Sequence, residues 1–160
     1  MTPILKGETS SMSETSKLDA FRMEAHPFFW FGQILTLRNR VLNRQLREFG
    51  LDYQRMKVIA TLAEHPGCSM QRLADLTAVD RTSLTHTVHL LVGSSLVDRQ
   101  PAPGDRRSAV LKLTAAGRRM TRKILPLILR LNEQTLAGFS PKEADDLLVH
   151  LRRMTENLRD

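Results

Sequence analysis

Apolar residues recur at helical spacing through most of the chain, starting at Pro27. The pattern predicts a first helix that runs to Gly50 and a second helix that Asp52 caps and Pro66 ends. Four more helices are expected at about 70–77, 81–92, 114–137 and from 141 onwards. Pro126 lies inside the fifth helix and should kink it. Ser140 and the residues after it form a capping box at the start of the sixth.

Between the fourth and fifth helices the period changes from helical to alternating. The segments 96–100 and 109–113 are strand candidates, and the loop between them contains two prolines and a glycine. We therefore predict a mainly α fold with one small β-hairpin. Residues 1–25 show no period at the start and are rich in Ser, Thr and Glu, so we predict a mobile tail there.

Length and composition exclude several classes of protein. A chain of 160 residues fits one domain, which needs neither a disulfide nor a metal to fold. Cys68 is the single cysteine, so no intrachain disulfide can form, which fits a reducing cytoplasm. No apolar run approaches the ~20 residues of a membrane span, and none near the start resembles a signal peptide.

The basic charge is concentrated in one third of the chain. The net charge is +7, and residues 72–123 contribute ten basic and four acidic residues, a net of +6. A local positive field indicates a polyanionic partner, with nucleic acid the first candidate and an acidic membrane surface the second.

Residues 70–89 have the spacing of a helix-turn-helix motif. Leu73 can face the core, Ala74 is small where the two helices must approach closely, and Val79 can fill the turn. Asp80 can cap the second helix by accepting hydrogen bonds from its free amides. Ala78 stands where this motif usually has glycine, so the turn must accept a Cβ atom there.

The second helix of the motif has one apolar and one polar face. On a helical wheel Leu84, Val88 and Leu91 share the apolar face. The opposite face is short-chained, polar and free of acids, and it carries Thr82, Thr85, His86 and His89. A helix that enters the major groove needs donors and acceptors for base edges and no carboxylate near phosphates. An ordinary solvated face is the alternative, although such faces usually carry Glu and Lys.

The hairpin tip carries a second basic element. Gly104 allows a turn, and Arg106 and Arg107 follow Asp105. Strand alternation places Asp105 and Arg107 on one side, where the carboxylate could hold the guanidinium in a fixed pose. An arginine at such a tip suits the narrow minor groove, and a weak surface ion pair is the alternative.

The motif Asp105-x-Arg107-x-x-x-Leu111-x-Leu113-Thr114, with a helix-turn-helix before it, resembles the wing signature of the MarR family of bacterial regulators. The resemblance covers about residues 26–158 and implies a winged-helix homodimer that binds pseudo-palindromic double-stranded DNA. It implies a DNA-binding lobe at 51–114 and dimerisation helices at 26–50 and 115–160, within a domain spanning 26–160. The implied DNA-binding residues are Ser69, Met70, Arg81, Thr82, Ser83, Thr85, His86, His89, Arg106 and Arg107, with Asp105 as support for the wing.

The resemblance also implies a repressor that a small aromatic or phenolic acid releases from DNA. We expect such an effector near Trp30, Phe31, Arg38 and Tyr53, although the aromatic residues could instead pack in the core or dimer, and Arg38 could face solvent. The two apolar faces of the first helix and the stripes of the last two also favour a homodimer, because a lone lobe of about 70 residues could not cover them.

Other functions remain open as alternatives. A non-specific architectural DNA-binding protein, or a membrane-surface or protein-interaction module, could use the same basic patch. The spacing of His86 and His89 would allow both to bind one metal ion, but no further ligand lies nearby in the sequence. We therefore predict no metal and no cofactor. Cys68 could sense redox state, but an idle thiol is favoured. We find no catalytic grouping and predict no enzyme activity.

Overall fold

The structure is a computed structural model that describes residues 21–102 and 105–159, without the side chains of residues 105–108. Within these residues the chain forms six α-helices and three β-strands. The helices are α1 (Pro27–Leu46), α2 (Tyr53–Glu64), α3 (Met70–Thr77), α4 (Arg81–Gly93), α5 (Ala115–Thr135) and α6 (Pro141–Glu156). The strands are β1 (Cys68–Ser69), β2 (Val97–Ala102) and β3 (Asp105–Leu113). The predicted mainly α fold with a small hairpin is confirmed.

The chain divides into two compact units, one ending at Val41 and one beginning at Leu42. Part of the predicted mobile tail has a defined structure in the first unit. Residues 1–20 lie outside the described residues, but Met23–Ala25 form a 3₁₀ turn. Trp30 Nε1 donates a hydrogen bond to the backbone oxygen of Glu24 at 2.8 Å, so the chain just before α1 has a defined conformation. The predicted division into a lobe at 51–114 and flanking dimerisation helices stays a prediction.

The core of the second unit is built from the apolar faces that the sequence pattern indicates. Its fully buried side chains come from every helix except α6 and from the sheet, and they include Leu42, Leu46, Ile59, Leu62, Leu73, Leu84, Leu91, Leu111 and Ile124. Side-chain caps begin five of its helices. Asp52, Ser69, Asp80, Thr114 and Ser140 each accept a hydrogen bond from the amide three residues later. The predicted caps at Asp52 and Asp80 and the predicted capping box at Ser140 are therefore confirmed.

The sheet contains a strand that the sequence pattern did not predict. Its order is β1-β3-β2 and both pairings are antiparallel, with Cys68 opposite Leu111 and Val97 opposite Leu113. Alternation cannot reveal β1 because it is two residues long. The hairpin strands also run farther toward the tip than predicted, to Ala102 and from Asp105.

Two helix ends differ from the predictions. The α-helical part of α1 stops at Leu46, and a 3₁₀ turn over Arg47–Phe49 carries the chain to Gly50. Gly50 has a φ of 66°, which suits glycine, and it closes that turn as the expected C-cap. Helix α5 ends at Thr135 rather than Ala137 and continues past Pro126, where the kink stays a prediction.

Large apolar side chains are exposed on four of the described helices, including Leu90 and Val92 on α4. On α1, Leu42 and Leu46 are fully buried, whereas Trp30, Ile34 and Leu37 are about half exposed. The exposed apolar residues of α1, α5 and α6 are Phe28, Trp30, Ile34, Leu35, Leu37, Leu125, Leu129, Leu148 and Val149. Burial of α1 on two sides is therefore not achieved within one chain.

Candidate nucleic-acid interface

The turn between α3 and α4 brings the two helices of the predicted helix-turn-helix together. Ala78 has a φ of 48°, so this alanine accepts the left-handed conformation that glycine more often supplies. Thr77, which is fully buried, donates its hydroxyl to the backbone oxygen of Leu73 at 2.7 Å. The small side chain of Ala74 on α3 is half-buried. The turn therefore forms despite the Cβ atom at position 78.

Asp80 fixes the start of α4. Its Oδ1 accepts a hydrogen bond from the amide of Ser83 at 2.9 Å. Hydrogen bonds from the side chain and the amide of Ser83 hold the pKa of Asp80 below its ordinary value. The charged carboxylate is thus the form that caps the helix, at the end where a negative charge is favoured by the helix dipole.

One face of α4 is buried within the second unit. Leu84, Val88 and Leu91 are buried, as the helical wheel predicts. Thr87 is also buried, which the wheel analysis did not assign, and its hydroxyl donates to the backbone oxygen of Ser83 at 2.8 Å. This internal hydrogen bond satisfies the polar group and lets a threonine occupy the core.

The opposite face of α4 borders a shallow, open space of about 470 Å³, which we call the α4 groove. The residues that line it are Arg81, Thr82, Thr85, His86 and His89, all of them exposed and all predicted DNA-binding residues. Among the described residues no carboxylate lines the groove. The hydroxyl of Thr85 donates to the backbone oxygen of Arg81 at 2.7 Å, so its oxygen remains free to accept. The groove therefore offers donors, acceptors and positive charge on one side of one helix.

The other predicted DNA-binding residues do not line this groove. Ser83 is exposed, but its contacts are with Asp80. Ser69 begins α3, and its Oγ accepts a hydrogen bond from the amide of Arg72 at 3.2 Å, while Met70 is half-buried. At the wing, β3 begins at Asp105, but the side chains of Asp105, Arg106 and Arg107 lie outside the described residues.

The predicted effector residues belong to different units. Trp30, Phe31 and Arg38 lie in the first, where Phe29 packs edge-to-face on Trp30 with ring centroids 5.1 Å apart. Tyr53 lies in the second, where its amide donates to Asn43 Oδ1 at 2.7 Å and the ammonium of Lys57 lies 5.9 Å from its ring centroid. An effector pocket made of all four residues stays a prediction.

Cys68 and the two histidines of the groove have unremarkable surroundings. Burial raises the pKa of the Cys68 thiol, and nearby Arg72 lowers it by less, so the net pKa lies above the ordinary value. Such a thiol is mostly protonated near neutral pH and is a poor nucleophile. Among residues 21–102 and 109–159, no three His, Cys, Asp or Glu side chains converge as a metal site would require. Within the described part of the chain no helix is long and apolar enough to cross a bilayer.

Comparisons with known proteins agree with this geometry. Residues 49–108, which contain the helix-turn-helix and the hairpin tip, match a MarR family model. The chain is 24% identical to the HTH-type transcriptional repressor IacR of Pseudomonas putida over 88% of its length and 84% of the relative's. It is 28% identical to the repressor NicR of P. putida over 62% of its length and 63% of the relative's.

The similarity in fold to solved structures extends over a longer part of the chain than the match to the family model. A MarR-family regulator from Silicibacter pomeroyi superimposes with a TM-score of 0.79 at 25% identity, over 86% of this chain and 93% of that one. Residues 49–108 are therefore assigned to the MarR family, and the chain as a whole shares the fold of a MarR-family regulator. Proteins of the MarR family are transcription regulators and not enzymes, and double-stranded DNA is their partner.

Two further MarR-family structures share the fold at lower identity. BpsR of Bordetella bronchiseptica, described as regulated in DNA binding by 6-hydroxynicotinic acid, has a TM-score of 0.78 at 19% identity over 88% of this chain and 99% of that one. A mutant of E. coli MarR complexed with operator DNA has a TM-score of 0.71 at 22% identity, over 78% of this chain and 90% of that one. The winged-helix fold of this chain is therefore shared with a DNA-bound protein.

Proposed function

We propose that this protein is a homodimeric repressor that reads a pseudo-palindromic operator with α4 and is released by an aromatic or phenolic acid. The observation that carries the proposal is the acid-free groove on α4, in which five exposed polar or basic residues converge. A solvated helix face with no regulatory use would have no reason to exclude every carboxylate. Two relatives, IacR and NicR, are named repressors, which supports repression rather than activation of transcription.

Within the groove, His86 and Thr85 are the base-reading residues. Both are exposed near the middle of α4, and a recognition helix contacts base edges in the major groove. Arg72, on α3 outside the groove, contacts phosphate and carries no sequence information. Arg107 enters the adjacent minor groove from the wing tip. The uncovered apolar residues of α1, α5 and α6 form the dimer interface, which sets the two α4 helices about one DNA turn, or about 34 Å, apart.

Selection from a randomised DNA pool tests the reading residues. His86→Ala and Thr85→Ala should change which bases are selected, whereas Arg72→Ala should lower affinity for all sequences alike. His65→Ala is the matched control, because His65 lies outside α4 at the end of α2. If His86→Ala selects the same motif as the unaltered protein, His86 does not read bases.

Truncation of the wing arginine tests the second contact. Arg107→Ala should weaken operator binding by about 1–3 kcal/mol, the usual worth of a specific base contact, with an unchanged melting curve. Unchanged operator affinity would remove the wing from the interface. Binding that depends on salt but not on sequence would favour the architectural alternative.

The effector changes the spacing of the two lobes rather than covering the α4 groove. Helices α1 and α5 connect the lobe to the exposed apolar surfaces, and Pro126 weakens α5. A small hinge motion there would move the α4 helices off the spacing that both half-sites demand. The control of BpsR by 6-hydroxynicotinic acid supports an aromatic acid as the ligand class. Titration of aromatic acids against operator complexes, with spin-label distances between lobes, tests this step, and release without a distance change would contradict it.

A further inference from the structure

Two of the protein's five histidines lie together in the α4 groove. His86 and His89 are three residues apart on α4, so their side chains project from the same face of the helix. Both are exposed, and neither forms a hydrogen bond or an ion pair with another of the described residues. Their ring nitrogens are therefore available to a ligand and to protons from the solvent.

Histidine differs from the other groove residues in its response to pH. It is the one side chain whose charge ordinarily changes between pH 5 and pH 8. A neutral imidazole carries one donor and one acceptor nitrogen, whereas a protonated imidazole carries two donors and a positive charge. The groove therefore holds the charge of Arg81 alone when both rings are neutral, and two further positive charges when both are protonated.

No described carboxylate faces the two rings across the groove. Helix α4 packs against α2, α3 and β2, whose acidic residues are Glu64, Asp75 and Asp98. None of the three lines the groove. Asp75 accepts a hydrogen bond from Gln71 Nε2 at 3.0 Å. Asp98 accepts one from Gln100 Nε2 at 2.7 Å, so both carboxylates have partners on their own elements.

The described charge that shares the groove with the rings is positive. Arg81 begins α4 and lines the groove beside His86 and His89, and like charges close together disfavour one another. Asp80, next to it, is bound to the Ser83 amide as the helix cap. The cations of the packed elements, none of which lines the groove, are Arg55, Lys57, Arg72 and Arg99. A negative charge for the two rings must therefore come from a ligand.

DNA supplies such a charge. Phosphates border the major groove, in which the proposed function places α4, and the inference rests on that function. An opposite charge nearby favours the protonated form of a ring, and a protonated ring donates hydrogen bonds to phosphate oxygens or to acceptors on base edges. We propose that His86 and His89 take up protons when the protein binds DNA, so that binding tightens as the pH falls and loosens as it rises.

The direction and size of the effect follow from proton linkage. A complex that holds more protons than the free protein has an association constant that rises as the pH falls, by up to about ten-fold per pH unit for each proton taken up. Partial uptake by the two rings should therefore make binding at least about ten-fold tighter at pH 6 than at pH 8. Arg81 stays charged throughout this interval and cannot produce the dependence.

The test measures binding of the full chain to two duplexes between pH 6 and pH 8 at one ionic strength. One duplex comes from the randomised-pool selection, and the other is a mixed-sequence duplex of equal length. The double variant His86→Gln/His89→Gln keeps polar side chains that do not titrate, so its affinity for the mixed-sequence duplex should be nearly independent of pH. His65→Gln is the matched control, because His65 lies outside the groove, and it should retain the full dependence.

Calorimetry counts the protons directly. PIPES and imidazole buffers differ in their heats of ionisation, so proton uptake at pH 7 should give different apparent binding enthalpies in the two buffers. The difference should appear for the unaltered protein and for His65→Gln, and disappear for the double variant. If the double variant binds too weakly to measure, the single variants His86→Gln and His89→Gln should each remove part of the difference.

The outcomes separate this inference from the proposed function. Binding that is independent of pH, equal enthalpies in the two buffers for the unaltered protein, or a pH dependence that the histidine variants retain would each overturn the inference. Sequence-specific binding without pH dependence would preserve the proposed function alone. Equal, pH-dependent binding of both duplexes would support proton uptake and contradict sequence-specific reading. Absence of binding to either duplex would overturn both.

Discussion

Gly117 is the position at which one added methyl group should do the most damage to the second unit. It is buried in the first turn of α5, above the backbone of Leu96. A Cβ atom there would lie inside the contact distance of the Leu96 carbonyl oxygen, 3.1 Å from its carbon and 3.2 Å from Leu113 Cδ2. The neighbour in question is backbone and cannot turn aside as a flexible side chain would.

The Leu96 carbonyl is also held in place by the start of α5. It accepts hydrogen bonds from the Thr114 amide at 3.1 Å and the Thr114 hydroxyl at 3.4 Å. The same hydroxyl donates to Ser95 at 2.7 Å and accepts from the Gly117 amide at 3.0 Å. Relief of the clash therefore requires the start of α5 to move away from Leu96 and to stretch the three hydrogen bonds that the backbone oxygens of Leu96 and Ser95 accept.

We expect Gly117→Ala to lower the free energy of unfolding by about 2 kcal/mol. Overpacking against fixed atoms costs about 3 kcal/mol at the upper end of its usual range, and the better helix propensity of alanine returns about 1 kcal/mol. At about 2–4 °C per kcal/mol for a chain of this size, the melting temperature should fall by about 4–8 °C. Thermal unfolding at fixed protein concentration measures the change.

Gly93→Ala is the matched control in the same unit. Gly93 ends α4, and an added Cβ there meets nothing within 4 Å. The control should melt at the same temperature as the unaltered protein or slightly higher. If Gly117→Ala melts as high as Gly93→Ala, the close approach of α5 to Leu96 is wrong.

Two further predictions concern Asp52 and Cys68. Asp52→Ala should cost about 1 kcal/mol of stability, measured by urea unfolding, because it removes the cap of α2. Burial raises the pKa of Asp52, but hydrogen bonds and charge attraction from Arg55 outweigh it and hold the pKa below the ordinary 3.8. The ionised carboxylate therefore stabilises the fold fully above that value, and this stabilisation is lost as the pH falls through the folded pKa. Asp52→Asn should keep most of the cap and remove this acid sensitivity. An unchanged dependence of stability on acid pH in Asp52→Asn would refute the assignment. Cys68 should react with iodoacetamide at pH 7 more slowly in the folded protein than in urea, because its pKa is raised by burial, and equal rates would contradict an inert thiol.

The helix starts and the exposed polar face of α4 could be predicted from the sequence because both depend on neighbours along the chain. A cap such as Asp52 or Asp80 bonds the amide three residues later, so its partner is visible in the sequence. The groove residues on α4 share one face because helical geometry repeats every 3.6 residues. The C-cap at Gly50 could also be predicted, because a glycine just after a helical pattern commonly ends a helix.

Contacts between distant segments were decided by the tertiary structure alone. Strand β1 pairs Cys68 with Leu111, more than forty residues away, and two residues are too few to show an alternating pattern. The need for glycine at 117 comes from a carbonyl at Leu96 on another element, and helix propensity by itself would favour alanine there.

A cavity of about 390 Å³ lies where the end of α2, the end of β3 and the start of α5 meet. It is the clearest case of a contact that the sequence pattern could not predict. Leu62, Leu113 and Arg122 lie on three elements, and no motif joins positions so far apart in the sequence. Each alone has an ordinary explanation, as a core leucine, a strand leucine and a solvated arginine. Their shared surface exists because α2, β3 and α5 pack with their ends together, and long-range packing of that kind leaves no periodic trace in a single sequence.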